Sequence, residues 1–128
     1  MKPAANHGIK RIIRATGFSI QGLIAGWKHE AAFREESIIA LVLLPVAILL
    51  PVTSTERILL ILTLFIVLIV ELVNSAIEAA VDRISDEIHP LSGRAKDIAS
   101  AAVFLSLIFA ITTWGQILFP LLSGFFSH

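Results

Sequence analysis

The chain has 128 residues, of which 56% are hydrophobic, and its formal net charge is zero. A soluble domain is about 45–50% apolar, so this chain carries more apolar surface than one small core can bury. The composition therefore predicts an integral membrane protein, and the zero net charge argues against nucleic-acid binding through bulk positive charge. The absence of cysteine excludes disulfides, thiolate nucleophiles and cysteine-based metal sites.

The first predicted element is an amphipathic helix within residues 1–32. Its apolar residues recur at helical spacing, and its basic residues fall elsewhere around the helix axis. We expect it to lie in the cytoplasmic interface, where anionic headgroups attract its lysines and arginines. A soluble helix docked on the protein's own loops is the alternative. The segment lacks the continuous apolar core and cleavage site of a secretory signal.

Three later segments are long and apolar enough to cross a bilayer, which takes about 20 helical residues. These predicted transmembrane helices cover residues 33–52, 58–80 and 98–121. Pro45 and Pro51 are expected to kink or end the first of them, because proline interrupts helical hydrogen bonding. A short turn over 53–57 joins the first two spans, and a polar loop over 81–97 joins the last two.

The positions of lysine and arginine predict the orientation in the membrane. Of the ten such residues, only Arg57 lies in the turn after the first span; the others lie at or before residue 34, or within 81–97. Cytoplasmic loops carry the excess of positive charge. The N-terminus and the 81–97 loop are therefore predicted to be cytoplasmic, and the turn and the C-terminus to face outward.

The cytoplasmic end of the second span carries a row of polar residues in the segment VELVNSAIEAAVDR (70–83). At about 100° per residue, four side chains fall within an arc of roughly 80°. This polar stripe consists of Glu71, Asn74, Glu78 and Asp82. Glu71 lies roughly 10 Å deeper than Glu78. A carboxylate at that depth is costly and faces protein, water or an ion, so the stripe favours a functional site over interhelical hydrogen bonding alone.

Further charged residues lie in the same cytoplasmic layer. They are Arg11, Glu30, Glu35, Glu36, Asp86, Glu87, Arg94, Lys96 and Asp97. Carboxylates beside cationic side chains suit a divalent hard cation and a polyphosphate. Neither GxxxxGK[ST] nor GxGxxG occurs, so any nucleotide site is built without a recognised phosphate loop. A solvated loop is the alternative for residues 86–97.

The residues of the polar stripe belong to a longer stretch that resembles a known family. VELVNSAIEAAVDR, followed by HPLSGRAKDIASAAV (89–103), is similar to the signature of the prokaryotic diacylglycerol kinases. KRIIRATGFSIQGL (10–23) and EAAFREE (30–36) resemble that family's surface helix and the start of its first span. Phe18 and Ile88 depart from the pattern, because many members carry tyrosine there.

The resemblance implies an all-α, bacterial inner-membrane enzyme with three transmembrane helices per chain, an N-terminus in the cytoplasm and a C-terminus in the periplasm. It further implies a homotrimer with its sites between subunits. Such an enzyme transfers the γ-phosphoryl group of MgATP to the hydroxyl of diacylglycerol, a lipid substrate, and forms phosphatidate. Mg²⁺ is the expected cofactor.

The resemblance also implies roles for individual residues. Glu71 would be the base that accepts the lipid hydroxyl proton, Glu30 and Glu78 would hold the metal ions, and Asn74 would help to order the site. ATP contacts are expected from Arg11, Phe18, Glu30, Glu78, Glu87, His89, Lys96 and Asp97. Contacts with the lipid substrate are expected from Glu36, Arg57, Glu71 and Ser100.

Two other functions remain open from the residues alone. The first is the same reaction on another lipid alcohol such as undecaprenol, which no spacing in this sequence separates from diacylglycerol. The second is a non-enzymatic membrane subunit in which Glu71 carries protons. That function leaves Glu30, Glu78 and Lys96 unexplained.

Overall fold

The computed structural model describes residues 7–84 and 87–126, and within them the chain is helical. The helices are α1 (Gly8–His29), α2 (Ala31–Leu49), α3 (Ser54–Ile84) and α4 (Pro90–Phe126). The predicted all-α fold is thus confirmed, with an N-terminal helix ahead of three more apolar ones. Residues 1–6 of the predicted surface segment, and Asp86, lie outside the described residues.

Two of these helices, α3 and α4, are long and apolar enough to cross a membrane. Only 28% of the most apolar stretch of α3, and 17% of that of α4, is buried within the protein. The core helix of a soluble protein would be mostly covered, so these surfaces are suited to lipid or to neighbouring subunits. The apolar part of α2 is shorter, because its first turns carry Arg34, Glu35 and Glu36; its passage through the membrane stays a prediction.

The helix boundaries differ from the predicted spans. The prediction of a polar loop over 81–97 was wrong in extent, because α3 continues to Ile84 and α4 begins at Pro90. Hydropathy marks where lipid ends, whereas backbone hydrogen bonding carries a helix on into the polar layer. At the other end, α2 runs through Pro45 and stops at Leu49. Leu50 is extended and directly precedes Pro51, as expected for a residue before proline.

A single extended residue, Glu30, separates α1 from α2. Its N–H donates to the Gly26 carbonyl at 3.0 Å, and its carbonyl accepts from the Arg34 N–H at 3.1 Å. The Arg34 guanidinium also donates to the carbonyls of Trp27, at 2.7 Å, and Lys28, at 3.1 Å. These bonds satisfy the last carbonyls of α1 and fix the position from which the Glu30 side chain projects.

At the opposite end of the bundle, Arg57 closes the turn between α2 and α3. Its guanidinium donates to four backbone carbonyls near the end of α2, those of Ala47, Ile48, Leu50 and Val52. Thr53 and Glu56 exchange side-chain-to-backbone hydrogen bonds at 3.0 and 3.1 Å, which forms a capping box at the start of α3.

The core lies where α2, α3 and α4 meet. Its buried apolar residues are Ala47, Leu60, Leu64, Trp114 and Ile117. One buried polar link crosses this layer: the Trp114 Nε1–H donates to Thr63 Oγ1 at 2.9 Å, and the Thr63 hydroxyl donates to the Leu60 carbonyl at 2.7 Å. The link holds α4 against α3, which positions the end of α3 and the start of α4 relative to each other.

Candidate active site

The first carboxylate in the polar stripe of α3, that of Glu71, is buried within the protein. Glu71 is only 5% exposed, although hydrophobic residues on other faces of α3 remain open. One turn later, the Asn74 side-chain amide donates to Glu78 Oε1 at 2.8 Å. The Asn74 Oδ1 atom is buried and has no hydrogen-bond partner among the described residues. Glu71, Asn74 and Glu78 are therefore ordered within the bundle, whereas Asp82 lies on the protein surface.

Carboxylates from neighbouring elements approach Glu71. The negative charges of Glu78 and of Glu30, at the α1–α2 break, act on the Glu71 carboxylate. Glu36 on α2 also lies within reach of the Glu71 charge, and its Oε2 atom is buried without a hydrogen-bond partner in the described part of the chain. Gathering like charges in a partly buried region is unfavourable unless a cation or a proton offsets them.

The oxygen donors near Glu71 suit some kinds of metal site and not others. No group of three or more histidine, aspartate or glutamate side chains among residues 7–84 and 87–126 forms a ready-made metal cage. Magnesium rarely uses such a cage, since it binds through one or two carboxylates together with water and substrate phosphates. The carboxylates of Glu30 and Glu78, whose charges both act on Glu71, suit that mode of binding better than a four-ligand structural metal site among the described residues.

A groove of about 660 Å³ runs between α1 and α3. The α1 side contributes Gly22, Gly26 and Glu30, and the α3 side contributes Leu72, Ser75 and Ala79. A Cβ atom at Gly26 would lie 3.0 Å from Leu72 Cδ2, so the glycine lets α1 approach α3 closely. Ser75 lies roughly 40° around the helix from Glu71, which places this α1–α3 groove along the flank of the polar stripe.

A second cavity, which we term the loop pocket, lies where α3 ends and α4 begins. It measures about 340 Å³ and is lined by Val81, Asp82, Glu87, Ile88, His89, Ser92, Gly93 and Lys96. Three predicted nucleotide-binding residues, Glu87, His89 and Lys96, therefore share one cavity. Asp82 and Ser92 also line it, although the sequence predicted a role in nucleotide binding for neither. The sequence feature that could have indicated a role for Asp82 was its spacing, four residues after Glu78 and therefore on the same face of α3.

The walls of the loop pocket are held by specific bonds. His89 Nδ1 accepts a hydrogen bond from the Leu91 N–H at 3.1 Å, next to Pro90 in the first position of α4. The Lys96 Nζ atom lies 2.6 Å from Asp82 Oδ1. This hydrogen bond and the negative charge of Asp82 raise the pKa of the Lys96 amine, so Lys96 is a cation at the pocket wall.

A third, apolar recess of about 260 Å³ lies between α2, α3 and α4. Glu36 is its one charged lining residue, and the remainder includes Leu43, Leu64, Leu107 and Trp114. A carboxylate beside an apolar recess suits an amphipathic molecule with a polar head and a hydrocarbon tail.

Other predicted site residues lie apart from these cavities within one chain. Arg11 and Phe18 are exposed on α1, and Asp97 and Ser100 are exposed on α4. Arg57 lies 14 residues before Glu71 on α3, roughly 21 Å away along the helix axis, where its guanidinium is engaged by backbone carbonyls. A lipid contact by Arg57 stays a prediction.

Comparison with known proteins tests the resemblance directly. Residues 17–118 match the family model described as prokaryotic diacylglycerol kinase. The chain belongs to the prokaryotic diacylglycerol kinase family. The match includes every predicted site residue of this kinase except Arg11, so the family assignment covers the polar stripe, the α1–α2 break and the loop pocket.

Relatives named diacylglycerol kinase are similar in sequence to this chain over most of its length. The diacylglycerol kinase of Pseudomonas aeruginosa is 53% identical over 111 residues, which cover 87% of this chain and 90% of the relative. The diacylglycerol kinase of Escherichia coli K12 is 52% identical over 107 residues, covering 84% and 88%. That of Helicobacter pylori 26695 is 44% identical over 119 residues, covering 93% of each chain. The predicted enzyme class is thereby confirmed: the chain is a membrane protein and a lipid kinase.

Proposed function

We propose that the kinase transfers the γ-phosphoryl group of MgATP to the hydroxyl of diacylglycerol, and so forms phosphatidate at the cytoplasmic face of the bacterial inner membrane. The observation that carries this proposal is the position of Glu71. It is 5% exposed and lies about two helical turns deeper than Glu78 on the same face of α3. The names of the relatives support diacylglycerol as the acceptor.

The reaction needs a base and an ion-holding group at different depths. A lipid hydroxyl lies near the headgroup plane, whereas ATP remains in water. In the proposed mechanism, Glu71 accepts the hydroxyl proton while that oxygen bonds to the γ-phosphorus, and the bond from the γ-phosphorus to the bridging oxygen breaks to release ADP. A positioned base of this kind contributes about 10²- to 10⁴-fold to rate.

The metal is proposed to be held by Glu30 and Glu78. Bound there, magnesium would neutralise charge on the ATP phosphates. The Asn74 amide orients the Glu78 carboxylate through its 2.8 Å hydrogen bond, which leaves the second Glu78 oxygen available. The Arg34 bonds to the end of α1 keep Glu30 at the level of the stripe.

The loop pocket is proposed to receive the nucleotide. Lys96 supplies a positive charge at its wall, while Glu87 and His89 line the same cavity and can accept or donate hydrogen bonds. Phe18, exposed on α1, offers a ring for stacking. The α1 helix would roof the site and keep water away from the phosphoryl group.

Glu36 and the apolar recess beneath it are proposed to receive the lipid substrate. The recess borders Ile39, Val67 and Ile111, a lining that suits an acyl chain, and the unpartnered Glu36 oxygen is free to accept a hydrogen bond from a glycerol hydroxyl.

We further propose three membrane spans per chain, including α2, and a homotrimer with sites between subunits. The wide exposure of α3 and α4 supports an assembly, as does the exposure of the predicted site residues Arg11, Asp97 and Ser100 within one chain. Apolar residues of α1, including Ile12 and Ile13, at 63% and 66% exposed, would insert among the headgroups.

The deciding experiment measures phosphate transfer to a lipid. Purified kinase in mixed micelles with MgATP is offered diacylglycerol or undecaprenol, and the labelled products are separated. Phosphatidate formation dependent on magnesium is expected, with undecaprenol a poor acceptor. Preferential labelling of undecaprenol would overturn the proposed acceptor, and labelling of neither lipid would overturn the proposed reaction.

A further inference from the structure

An ion pair joins the two helices that flank the loop pocket. Lys96 Nζ on α4 lies 2.6 Å from Asp82 Oδ1 on α3, and both residues line the cavity. The side chains are 43% and 66% exposed, respectively. An exposed pair of this kind contributes little to the free energy of folding. Its position at the pocket wall is therefore better explained by a role in ligand binding.

The pair is also tied to the polar stripe. Asp82 follows Glu78 by four residues on one face of α3, and the charge of Glu78 acts on the Lys96 ammonium as well. Lys96 therefore lies within the electrostatic reach of both carboxylates, and Glu87 and His89 line the same pocket. Lysine carries its charge on a flexible four-carbon chain, and the contact with Asp82 restricts where that charge rests.

We propose that Asp82 is a positioning residue, which holds the Lys96 ammonium at the wall of the loop pocket so that it meets the phosphate end of the nucleotide. This inference rests on the proposed function, because it takes the loop pocket to be the ATP site. As a positioning residue, Asp82 itself contacts neither the lipid nor the transferred phosphoryl group. It acts through Lys96, by limiting the positions that the ammonium can occupy before ATP arrives.

The first test separates nucleotide binding from turnover. Asp82→Asn is expected to raise the KM for MgATP about threefold to fivefold, while kcat stays within about twofold, because ground-state binding of ATP is weakened rather than the chemical step. Asp82→Glu, which keeps the carboxylate, should restore most of the affinity. Arg83→Gln, a charge change at the neighbouring exposed position, serves as the control and should leave the KM for MgATP unchanged.

A double-mutant comparison shows whether Asp82 acts through Lys96. In a Lys96→Met background, Asp82→Asn should add no further increase in the KM for MgATP, since the group it positions is gone. An equal increase in both backgrounds would overturn the proposal. A lower KM in Asp82→Asn would also overturn it, because that result means that Asp82 competes with the phosphates for Lys96.

A final measurement does not depend on lipid phosphorylation. The lysines are reductively methylated with ¹³C-formaldehyde, and the Lys96 signal is titrated by NMR and then observed with a non-hydrolysable MgATP analogue. Asp82→Asn should lower the pKa of the Lys96 amine and weaken analogue binding. Both changes in a protein that phosphorylates no tested lipid would support this inference and would overturn the proposed phosphoryl transfer to diacylglycerol. An unchanged pKa, or absence of analogue binding to the wild type, would sink the inference.

Discussion

Glu71 and Glu78 occupy one face of α3 but have different surroundings. Glu71 is buried beside Glu36, whereas Glu78 is half-buried and hydrogen-bonded to Asn74. The buried carboxylate is suited to accept a proton, and the more accessible one to bind a hydrated cation. In the proposed mechanism, the seven-residue spacing separates the proton acceptor from the magnesium ligand along the helix axis.

Replacement of Glu71 tests the first of these tasks. Glu71→Gln keeps the shape and removes the proton acceptor, so kcat for phosphatidate formation is expected to fall about 10²- to 10⁴-fold. The free energy of unfolding in micelles should be unchanged or slightly higher, because repulsion from Glu78 and Glu30 is relieved. Lipid phosphorylation and unfolding in sodium dodecyl sulfate measure the two effects; near-normal turnover would remove Glu71 as the base.

Replacement of Glu78 tests the second task. Glu78→Gln should raise the Mg²⁺ concentration needed for half-maximal activity by at least about tenfold, since the loss of an outer-shell partner alone costs that much. Activity is measured against Mg²⁺ at constant ATP. Glu56→Gln is the matched control, because Glu56 lies in the capping box at the far end of α3 and glutamine preserves that motif. The same magnesium dependence in both variants would exclude Glu78 as a ligand.

At the scale of the helices, the chain breaks before and after α2 are both closed by arginines rather than by glycine caps. Arg34 bonds to the last carbonyls of α1, and Arg57 to those of α2. Each guanidinium satisfies carbonyls that a helix end leaves unpaired. Such hydrogen bonds matter more in a membrane protein, because the hydrocarbon region has no water that could replace a lost hydrogen-bond donor.

Arg57 therefore offers a test that separates support of the fold from lipid binding. Arg57→Met should lower the free energy of unfolding in micelles by about 1–3 kcal/mol, because it strands several carbonyls. The KM for diacylglycerol should change little in the protein that remains folded. Arg57→Lys keeps one cationic donor and should lose less stability. A raised KM for the lipid with unaltered stability would instead support the lipid contact that the family resemblance implies.

At the scale of the whole molecule, one chain leaves large apolar surfaces open and does not bring all predicted site residues together. Asp97 is exposed on α4, outside the loop pocket that contains Lys96. An assembly in which neighbouring chains complete each site accounts for both observations, since contacts between helices in lipid require closely packed partners.

Mixing of inactive subunits tests this arrangement. Glu71→Gln and Asp97→Asn are each expected to be nearly inactive alone, and co-refolding in one micelle preparation should restore measurable phosphatidate formation if the two residues of a site come from different chains. Glu71→Gln mixed with Glu78→Gln is the matched control, because these residues share one face of α3 and should show no recovery. Failure of the first mixture to recover would place Asp97 and Glu71 in the same chain's site.

The sequence by itself determined the features that depend on local periodicity and composition. The apolar runs of α3 and α4 predicted their helices, and the spacing of the polar stripe predicted that its residues share one face, because helix geometry repeats whatever surrounds it. The start of α4 was missed, because hydropathy reports the solvent that a helix crosses and not where its hydrogen bonding begins. His89 and Pro90 mark that start.

Only the tertiary structure decided which groups meet across helices. The Asp82–Lys96 ion pair, the approach of Glu36 to Glu71 and the bond between Thr63 and Trp114 join residues far apart in the chain. Such contacts depend on how the helices cross and rotate against one another, which is set by the combined packing of many side chains. No single segment contains that information. The sequence therefore predicted the polar stripe, but it did not predict which residues of other helices lie beside it.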